Sequence, residues 1–386
     1  MRVELIERFQ DLEDEWPRLR AADPTSTPFT SYEWTSVWCR HWAEGGRPWI
    51  LAVYDGDRLA GLVPFLMHRR AGLRLLRGLG LGVGNYWDAI ADPDERAQVL
   101  AAVAADLSGR GAEWDAFFMD KLPEESTTIA ALLKAGLRVE PTARLASPRI
   151  ELPATFEEYL AGVSPKRRAA IRRSLRPLDS GQLSVHTATT GDEIALAVER
   201  WQRLKVESWR QRNLHLDPEH RSPRFRDFTT EALTSMVPAG LAVVWEIRDE
   251  DKVLVVTIGL LDEHAYYGWL IGFDPRCEQL EPGHMAIARG IRWSIDQGLR
   301  YYDFMLGAES YKYHYAPTER SVLAAVVGNG RPRSRATLGV GRLRRALRRS
   351  GAQDSDPRSS HLASPTSAGD RPDSQADQPG ARTTSS

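Results

Sequence analysis

The residues of this chain best suited to chemistry crowd into one stretch, Tyr301-Tyr302-Asp303-Phe304-Met305-Leu306-Gly307-Ala308-Glu309-Ser310-Tyr311-Lys312-Tyr313. It reads as an aromatic strand that turns at Gly307 and presents Lys312 between two tyrosines. An ammonium among so many rings loses its hydration, so it needs a buried partner or a ligand. Facing a ligand, Lys312 would stabilise an oxyanion or hold a phosphate as a point charge. As a structural group it would pair with Asp303 or Glu309. The candidates for moving a proton are His284, Asp303, Glu309, Tyr311 and Tyr313. No His/Asp pair with convincing spacing singles out one base.

These side chains need elements to position them. Glu281-Pro282-Gly283 opens an amphipathic segment with Ile287, Ile291 and Ile295 at i, i+4, i+8, and Gly298 closes it. Helix, glycine stop, strand and lysine loop follow in order. That order sets a helix N-terminus beside a strand end, where the amides of Gly283, His284 and Met285 can hold a phosphate. The competing reading is an ordinary Pro-Gly turn starting a core helix.

The wider chain reads as two α/β modules of like plan. In the first, Trp34, Trp38 and Trp42 line one face of a helix capped near Ser31, as a core seam or as a ligand-facing wall. Asp55-Gly56-Asp57 joins two strands in a hairpin; helices at about 94–109 and 125–135 flank a strand at Trp114–Met119. In the second, Asp249-Glu250-Asp251 joins Leu241–Arg248 to Lys252–Leu261. A strand at His264–Ile271, a helix at 283–297 and a strand at 300–306 follow. Gly111 to Phe117 and Gly298 to Phe304 both put a glycine stop and an aromatic-Asp entry before a strand, at a separation of roughly 190 residues.

Between the modules, Ser164 and Pro165 start a helix in which Ile171, Leu175 and Leu178 form the buried stripe. Around it stand Lys166, Arg167, Arg168, Arg172, Arg173 and Arg176, a solvated face or a surface for a polyanionic acceptor. Pro177 is expected to end or kink this helix. A further helix at about 191–211 carries Trp201, Leu204 and Trp209, and Trp209 is placed on the acceptor side.

Composition narrows the class. Of 51 basic residues only 6 are lysine, and the formal net charge is −1, which argues against a globally basic nucleic-acid binder. Two cysteines, Cys39 and Cys277, offer neither metal spacing nor a disulfide framework. No run of about 20 apolar residues exists, and the N-terminus is acidic where a signal peptide would be apolar. The expectation is a soluble, cytoplasmic protein with no transmembrane segment. Beyond Gly330, eight arginines without an acid among them could touch anionic lipid or nucleic acid; Ser, Pro, Asp, Gln and Gly then dominate to Ser386, a composition expected to be disordered.

Four segments in order carry a resemblance: Phe29–Trp42, Ser164–Arg176, Glu281-Pro282-Gly283, and Asp303-Phe304 with Gly307 and Tyr311-Lys312. They resemble the GNAT-superfamily acyltransferases of the CelD/BcsL type, which share the BioF2-like acetyltransferase domain and are related to the Fem peptidyltransferases. The resemblance implies an α/β (α+β) fold of tandem GNAT-like modules, each a mixed, mostly antiparallel sheet flanked by helices. Residues 1–150 would form the N-terminal module, 151–330 the C-terminal acetyltransferase module, and 331–386 the tail. It implies acetyl-CoA or another acyl-CoA as co-substrate, no metal, and an amine or hydroxyl acceptor such as a saccharide or cell-envelope precursor.

On this resemblance the catalytic residues are Lys312, Asp303, Tyr311 and His284. Tyr311-Lys312 takes the place of the Phe-Lys dipeptide at the Fem transfer site. Gly283, His284 and Met285 bind the co-substrate, although Pro282 stands where the usual pyrophosphate loop supplies a backbone donor. A splayed strand at about 264–271 holds the donor carbonyl. Lys166, Arg168, Arg172 and Trp209 bind the acceptor. Two alternatives stand beside this one: a Fem-like transferase using aminoacyl-tRNA, and a non-catalytic accessory protein of polysaccharide biosynthesis.

Overall fold

Two short acidic turns set the registers from which both sheets grow. Gly56, at φ +61°, lets Asp55 and Arg58 pair directly, and Glu250, at φ +50°, does the same for Asp249 and Lys252. The computed structural model describes residues 1–211 and 218–339.

In the first half of the chain the strands are β1 (Arg2–Ile6), β2 (Arg47–Asp55), β3 (Arg58–Arg70), β4 (Leu73–Gly78), β5 (Ile90–Ala91), β6 (Ala116–Pro123) and β7 (Arg138–Ala146). A second sheet holds β8 (Arg149–Glu151), β9 (Ser184–Ala188), β10 (Ala242–Asp249), β11 (Lys252–Leu261), β12 (Ala265–Phe273) and β13 (Tyr301–Asp303). The last strand, β14 (Ser321–Gly328), returns to the first sheet and lies between β6 and β7. The first sheet therefore runs β1-β2-β3-β4-β6-β14-β7 with β5 beside β3, and the second runs β8-β13-β12-β11-β10-β9.

The helices are α1 (Glu15–Ala22), α2 (Tyr32–Trp42), α3 (Arg96–Gly109), α4 (Thr128–Lys134), α5 (Phe156–Gly162), α6 (Pro165–Asp179), α7 (Gly191–Gln211), α8 (Pro223–Met236) and α9 (Pro282–Asp296). The internal repeat is present in the topology. In each sheet an antiparallel meander (β2-β3-β4, β10-β11-β12) is followed by a crossover helix (α3, α9). A strand parallel to the last of the three then closes the unit (β6, β13). Mixed sheets flanked by helices are the fold expected from the sequence.

Hydrophobic pattern explains how the layers close. Ser31 accepts from the Trp34 amide and starts α2. Trp34 is fully buried, edge-on to Phe228 of α8 and to Trp269 of β12 at 5.1 and 5.2 Å. The tryptophan face of α2 is thus a core seam that joins the two modules, with α7 and α8 in the same apolar cluster. On the opposite face of the second sheet, α5, α6 and α9 close over Tyr266, Tyr302 and Trp245.

Two details of local structure go beyond what the sequence specified. Pro177 does not end α6, which continues to Asp179. The proline sits in the last turn, so it interrupts the helix where only two residues remain. The arginine-rich stretch opens as a helical segment at 332–339, where Ser334 and Leu338 are buried. The rest of that stretch and the tail to Ser386, expected to be disordered, lie outside the described residues. Among those described, no helix is long and apolar enough to cross a membrane.

Candidate active site

A wedge between two parallel strands forms the candidate site. β12 and β13 pair only over Ala265–Tyr301, Tyr266–Tyr302 and Tyr267–Asp303. β12 then runs on to Phe273, bonded on its other edge to β11, while the chain leaves β13. The Phe304 amide donates to the Pro148 carbonyl and the Gly307 amide to that of Ala146, which draws the segment away towards the first sheet. Residues 268–273 therefore keep one strand edge without a strand partner. The close end of the wedge is at Gly268: a Cβ there would lie 3.2 Å from the Tyr302 hydroxyl and 3.7 Å from the Asp303 carbonyl.

The open end of the wedge leads to the start of α9. Asp274 fixes this connection by accepting from the Arg276 amide and guanidinium, all at 2.9 Å, with Lys252 at 3.3 Å. Hydrogen bonds from the Arg276 guanidinium and amide and from Lys252 hold the Asp274 carboxyl down at about 2, against the effect of burial. Glu281 then takes the left-handed conformation (φ +48°) and leaves the helix start without a side-chain cap. Pro282 has no N–H, so the first free donors are the amides of Gly283 and His284, which lack an acceptor within their own helix. The third amide expected in the cradle is committed elsewhere, because Met285 N–H bonds the Glu281 carbonyl at 2.9 Å.

Around this helix start stand groups from three elements. His284 Nδ1 is 2.6 Å from the Tyr315 hydroxyl, and the His284 ring stacks on His314. Tyr159 of α5 holds the Tyr315 carbonyl from behind at 3.1 Å. Burial keeps the His284 ring below the usual histidine range; Glu281 opposes that shift, while Arg167 and Arg173 add to it. Arg173 of α6 bridges both Glu281 carboxylate oxygens at 3.2 Å. The α6 helix thus brings its basic face to the start of α9.

At the close end, Asp303 is buried and accepts from the Tyr86 hydroxyl at 2.8 Å and the Met305 amide at 2.6 Å, with Arg320 at 3.5 Å. Tyr86 also lies 2.5 Å from the Ser147 hydroxyl and 5.8 Å, ring to ring, from Tyr267. Burial raises the Asp303 carboxyl above its ordinary range, against the pull of Arg320. Tyr86 comes from the loop before β5, so the first module completes this end of the wedge.

Of the two places expected for Lys312, the structure shows the pairing with Glu309. It is fully buried, donates to the carbonyls of Met305, Leu306 and Gly307 at 3.2, 2.7 and 3.1 Å, and pairs with Glu309 at 2.9 Å. These contacts fill its donors and clamp a turn in which Met305 has φ +60° and Gly307 φ +110°. Tyr311 is buried beside it, and Tyr313 is exposed. Lysine and tyrosine here hold the crossing between sheets together.

The expected acceptor residues also separate. Arg168 turns inward, its Nε donating to the Leu160 carbonyl at 2.8 Å and its Nη2 reaching Ala161 and Val163, and so ties down the end of α5. Arg172 pairs with Glu157 at 2.6 Å on the surface, and Lys166 is exposed. Trp209 is half-buried, with the Lys205 ammonium 5.2 Å from its ring centre. Lys205 in turn reaches the Ile271 carbonyl of β12 at 3.4 Å, and its helix α7 packs on the sheet face opposite α9.

Sequence reasoning missed Tyr315, Tyr159, Tyr86 and the Arg173–Glu281 pair. The alternation Tyr311, Tyr313, Tyr315 was a legible signal for one of them. The others meet only through tertiary structure. Among the described residues no group of three or more His, Cys, Asp or Glu side chains is arranged to hold a metal ion.

Comparison with known proteins agrees with this fold. Residues 165–313 match the family model of the acetyltransferase (GNAT) domain. That span includes α6, the wedge strands, α9 and the Lys312 turn. No curated protein matches the sequence. The solved structure of FemX is similar over 84% of this chain and 97% of its own, with 10% identity and a TM-score of 0.62. The C-terminal domain of a putative lysylphosphatidylglycerol synthetase from Agrobacterium fabrum covers 86% of this chain and 96% of its own length, at 11% identity and TM-score 0.50. A conserved protein of unknown function from Bacteroides thetaiotaomicron covers 85% and 99%, at 11% and 0.53. At such identities the likeness concerns the fold alone.

Proposed function

We propose that this chain is an acyltransferase whose donor is a phosphate-bearing acyl carrier lying in the wedge between β12 and β13. The observation that carries the reading is the wedge itself, open on one side to the free amides of Gly283 and His284. An extended, amide-bearing arm can add to the free edge at 268–273 as another strand would. Its anionic end then meets two amides, the helix dipole, and Arg167 and Arg173. Acyl-CoA fits this description, although Pro282 removes one donor and Glu281 adds one negative charge. When bound, it would supply a carbonyl already activated for transfer.

The residues of the chain do the rest. N–H groups on the free edge of β12 near Gly268 would donate to the carbonyl oxygen and stabilise the charge building on it. We assign Asp303 as the final proton acceptor, reached through the Tyr86 hydroxyl: the acceptor's proton passes to the Tyr86 oxygen as the phenolic proton moves to Asp303. His284, kept neutral by burial and bonded to Tyr315, belongs to the carrier end.

Calorimetric titration with acetyl-CoA tests the donor. Saturable heat that is lost in an Arg167→Glu, Arg173→Glu variant supports the reading. Silence across several acyl-CoAs, with aminoacyl-tRNA retained by the unmodified chain, would transfer the site to a Fem-like donor. That second reading is favoured by the FemX-like fold across both modules and by the missing Pro282 amide. Silence with both donors removes the proposal. The acceptor is taken to be an amine or hydroxyl, such as that of a saccharide or cell-envelope precursor.

A further inference from the structure

On the α9 face of the second sheet, the half-buried Arg289 has a buried donor with no partner. The Arg289 guanidinium lies over the Trp245 ring, 3.9 Å from its centre. Its Nη1 is buried and has no hydrogen-bond partner, and the same holds for the Tyr266 hydroxyl. Among the described residues no acidic side chain pairs with Arg289. The charged group nearest along the same helix face, Arg292, is another cation, already held by Asp179 at 2.7 Å. A ring face offsets part of the lost hydration of a guanidinium but gives its N–H no acceptor.

The sequence builds a flat aromatic floor here. Tyr266 stacks parallel to Trp245 at 5.7 Å and to Tyr302 at 5.1 Å. It can lie down on β11 only because residue 259 is glycine, where a Cβ would sit 2.2 Å from its ring. Trp293, one turn beyond Arg289, stands edge-on to Trp245 at 4.9 Å and forms a wall. Tyr266 is fully buried, so its hydroxyl cannot turn to bulk solvent.

We propose that Arg289 and Tyr266 form a second ligand site, distinct from the anion position at the start of α9, that binds a small carboxylate against the Trp245–Trp293 aromatic surface. A carboxylate oxygen accepts from Arg289 Nη1 and from the Tyr266 hydroxyl together and offsets the half-buried charge. A neutral water accepts the same bonds and leaves the charge in place. Burial already draws the guanidinium down to about 10, the direction expected of a cation short of a counter-ion. Arg289 lies six residues along α9 from Gly283, roughly 9 Å of helix rise, so the two sites are separable by mutation.

Trifluoroacetate is a suitable probe, observed by fluorine NMR with the full chain at neutral pH. The expected result is line broadening that saturates and is reversed by acetate. Tyr266→Phe, which keeps the ring and removes one hydrogen bond to the ligand, weakens binding about tenfold, and Arg289→Gln abolishes it. Broadening that is absent from the unmodified chain means water alone occupies the position and overturns the proposal. Undiminished broadening in Tyr266→Phe overturns it too, and this variant decides the matter should Arg289→Gln fail to fold. Loss of broadening in Arg173→Ala would place the anion at the start of α9 instead, which also overturns it while leaving the donor reading intact.

Discussion

The Tyr86 hydroxyl, from the first module, donates to the Asp303 carboxylate of the second at 2.8 Å, and both groups are buried. The bond crosses the junction at the point where β12 and β13 part. It gives one pair of atoms two duties, joining the modules and closing the narrow end of the site.

Tyr86→Phe separates those duties. Removing one partner of a buried hydrogen bond costs about 1–3 kcal/mol, which a shift in the urea unfolding midpoint measures. If the hydroxyl also relays the acceptor's proton, the turnover number falls roughly 100-fold or more with little change in KM for the donor. A variant that is less stable but turns over normally would reduce Tyr86 to its structural duty.

The pH dependence of transfer follows from the direction of the Asp303 shift. Burial raises its carboxyl above the ordinary range, and the unfolded chain loses that proton at lower pH. Two consequences have opposite signs. The folded state's advantage from this group shrinks as pH rises through the raised value, whereas a base needs the ionised form, so the rate rises over the same interval. Arg320 opposes the shift; Arg320→Gln is therefore expected to move the acidic limb of the rate profile to higher pH. An unmoved limb would exclude Asp303 as the titrating group.

Lys312→Met is expected to unfold the crossing between sheets. It leaves the half-buried Glu309 without its partner and three carbonyls without a donor, a loss of about 3 kcal/mol. Activity should fall in step with the folded fraction. A folded, fully stable but inactive Lys312→Met protein would restore this lysine to the chemistry.

On α6, neighbouring arginines should behave differently. Arg168→Ala removes donors from the end of α5 and is expected to cost about 1–3 kcal/mol. Arg172→Ala breaks an exposed ion pair with Glu157, for which about 0–1 kcal/mol is usual. Thermal unfolding of the two variants side by side checks the contrast.

These particulars mark how far the sequence could be read. The hairpins at Asp55–Asp57 and Asp249–Asp251, the cap at Ser31 and the helix opening at Pro282 are local events, each fixed by a few adjacent residues, and each was legible. The start of α9 beside a strand end was legible for the same reason. For Lys312 the pairing with Glu309 was among the alternatives read, but the three backbone carbonyls that hold it were not legible, because they converge only once Met305 and Gly307 turn left-handed. Arg168 and Arg172 look alike in sequence; only the packing of α5 sends one inward. Tyr86 and Asp303 lie 217 positions apart, beyond any pattern in a single chain.

The return of β14 to the first sheet has a consequence for how the protein is made. β6 and β7 cannot acquire the strand that separates them until synthesis has passed Gly328. Until then the nascent chain carries two open strand edges, the kind of surface that recruits foreign strands and chaperones. A gene fragment stopping at residue 150 leaves those edges exposed permanently, so the halves should be produced as a single polypeptide.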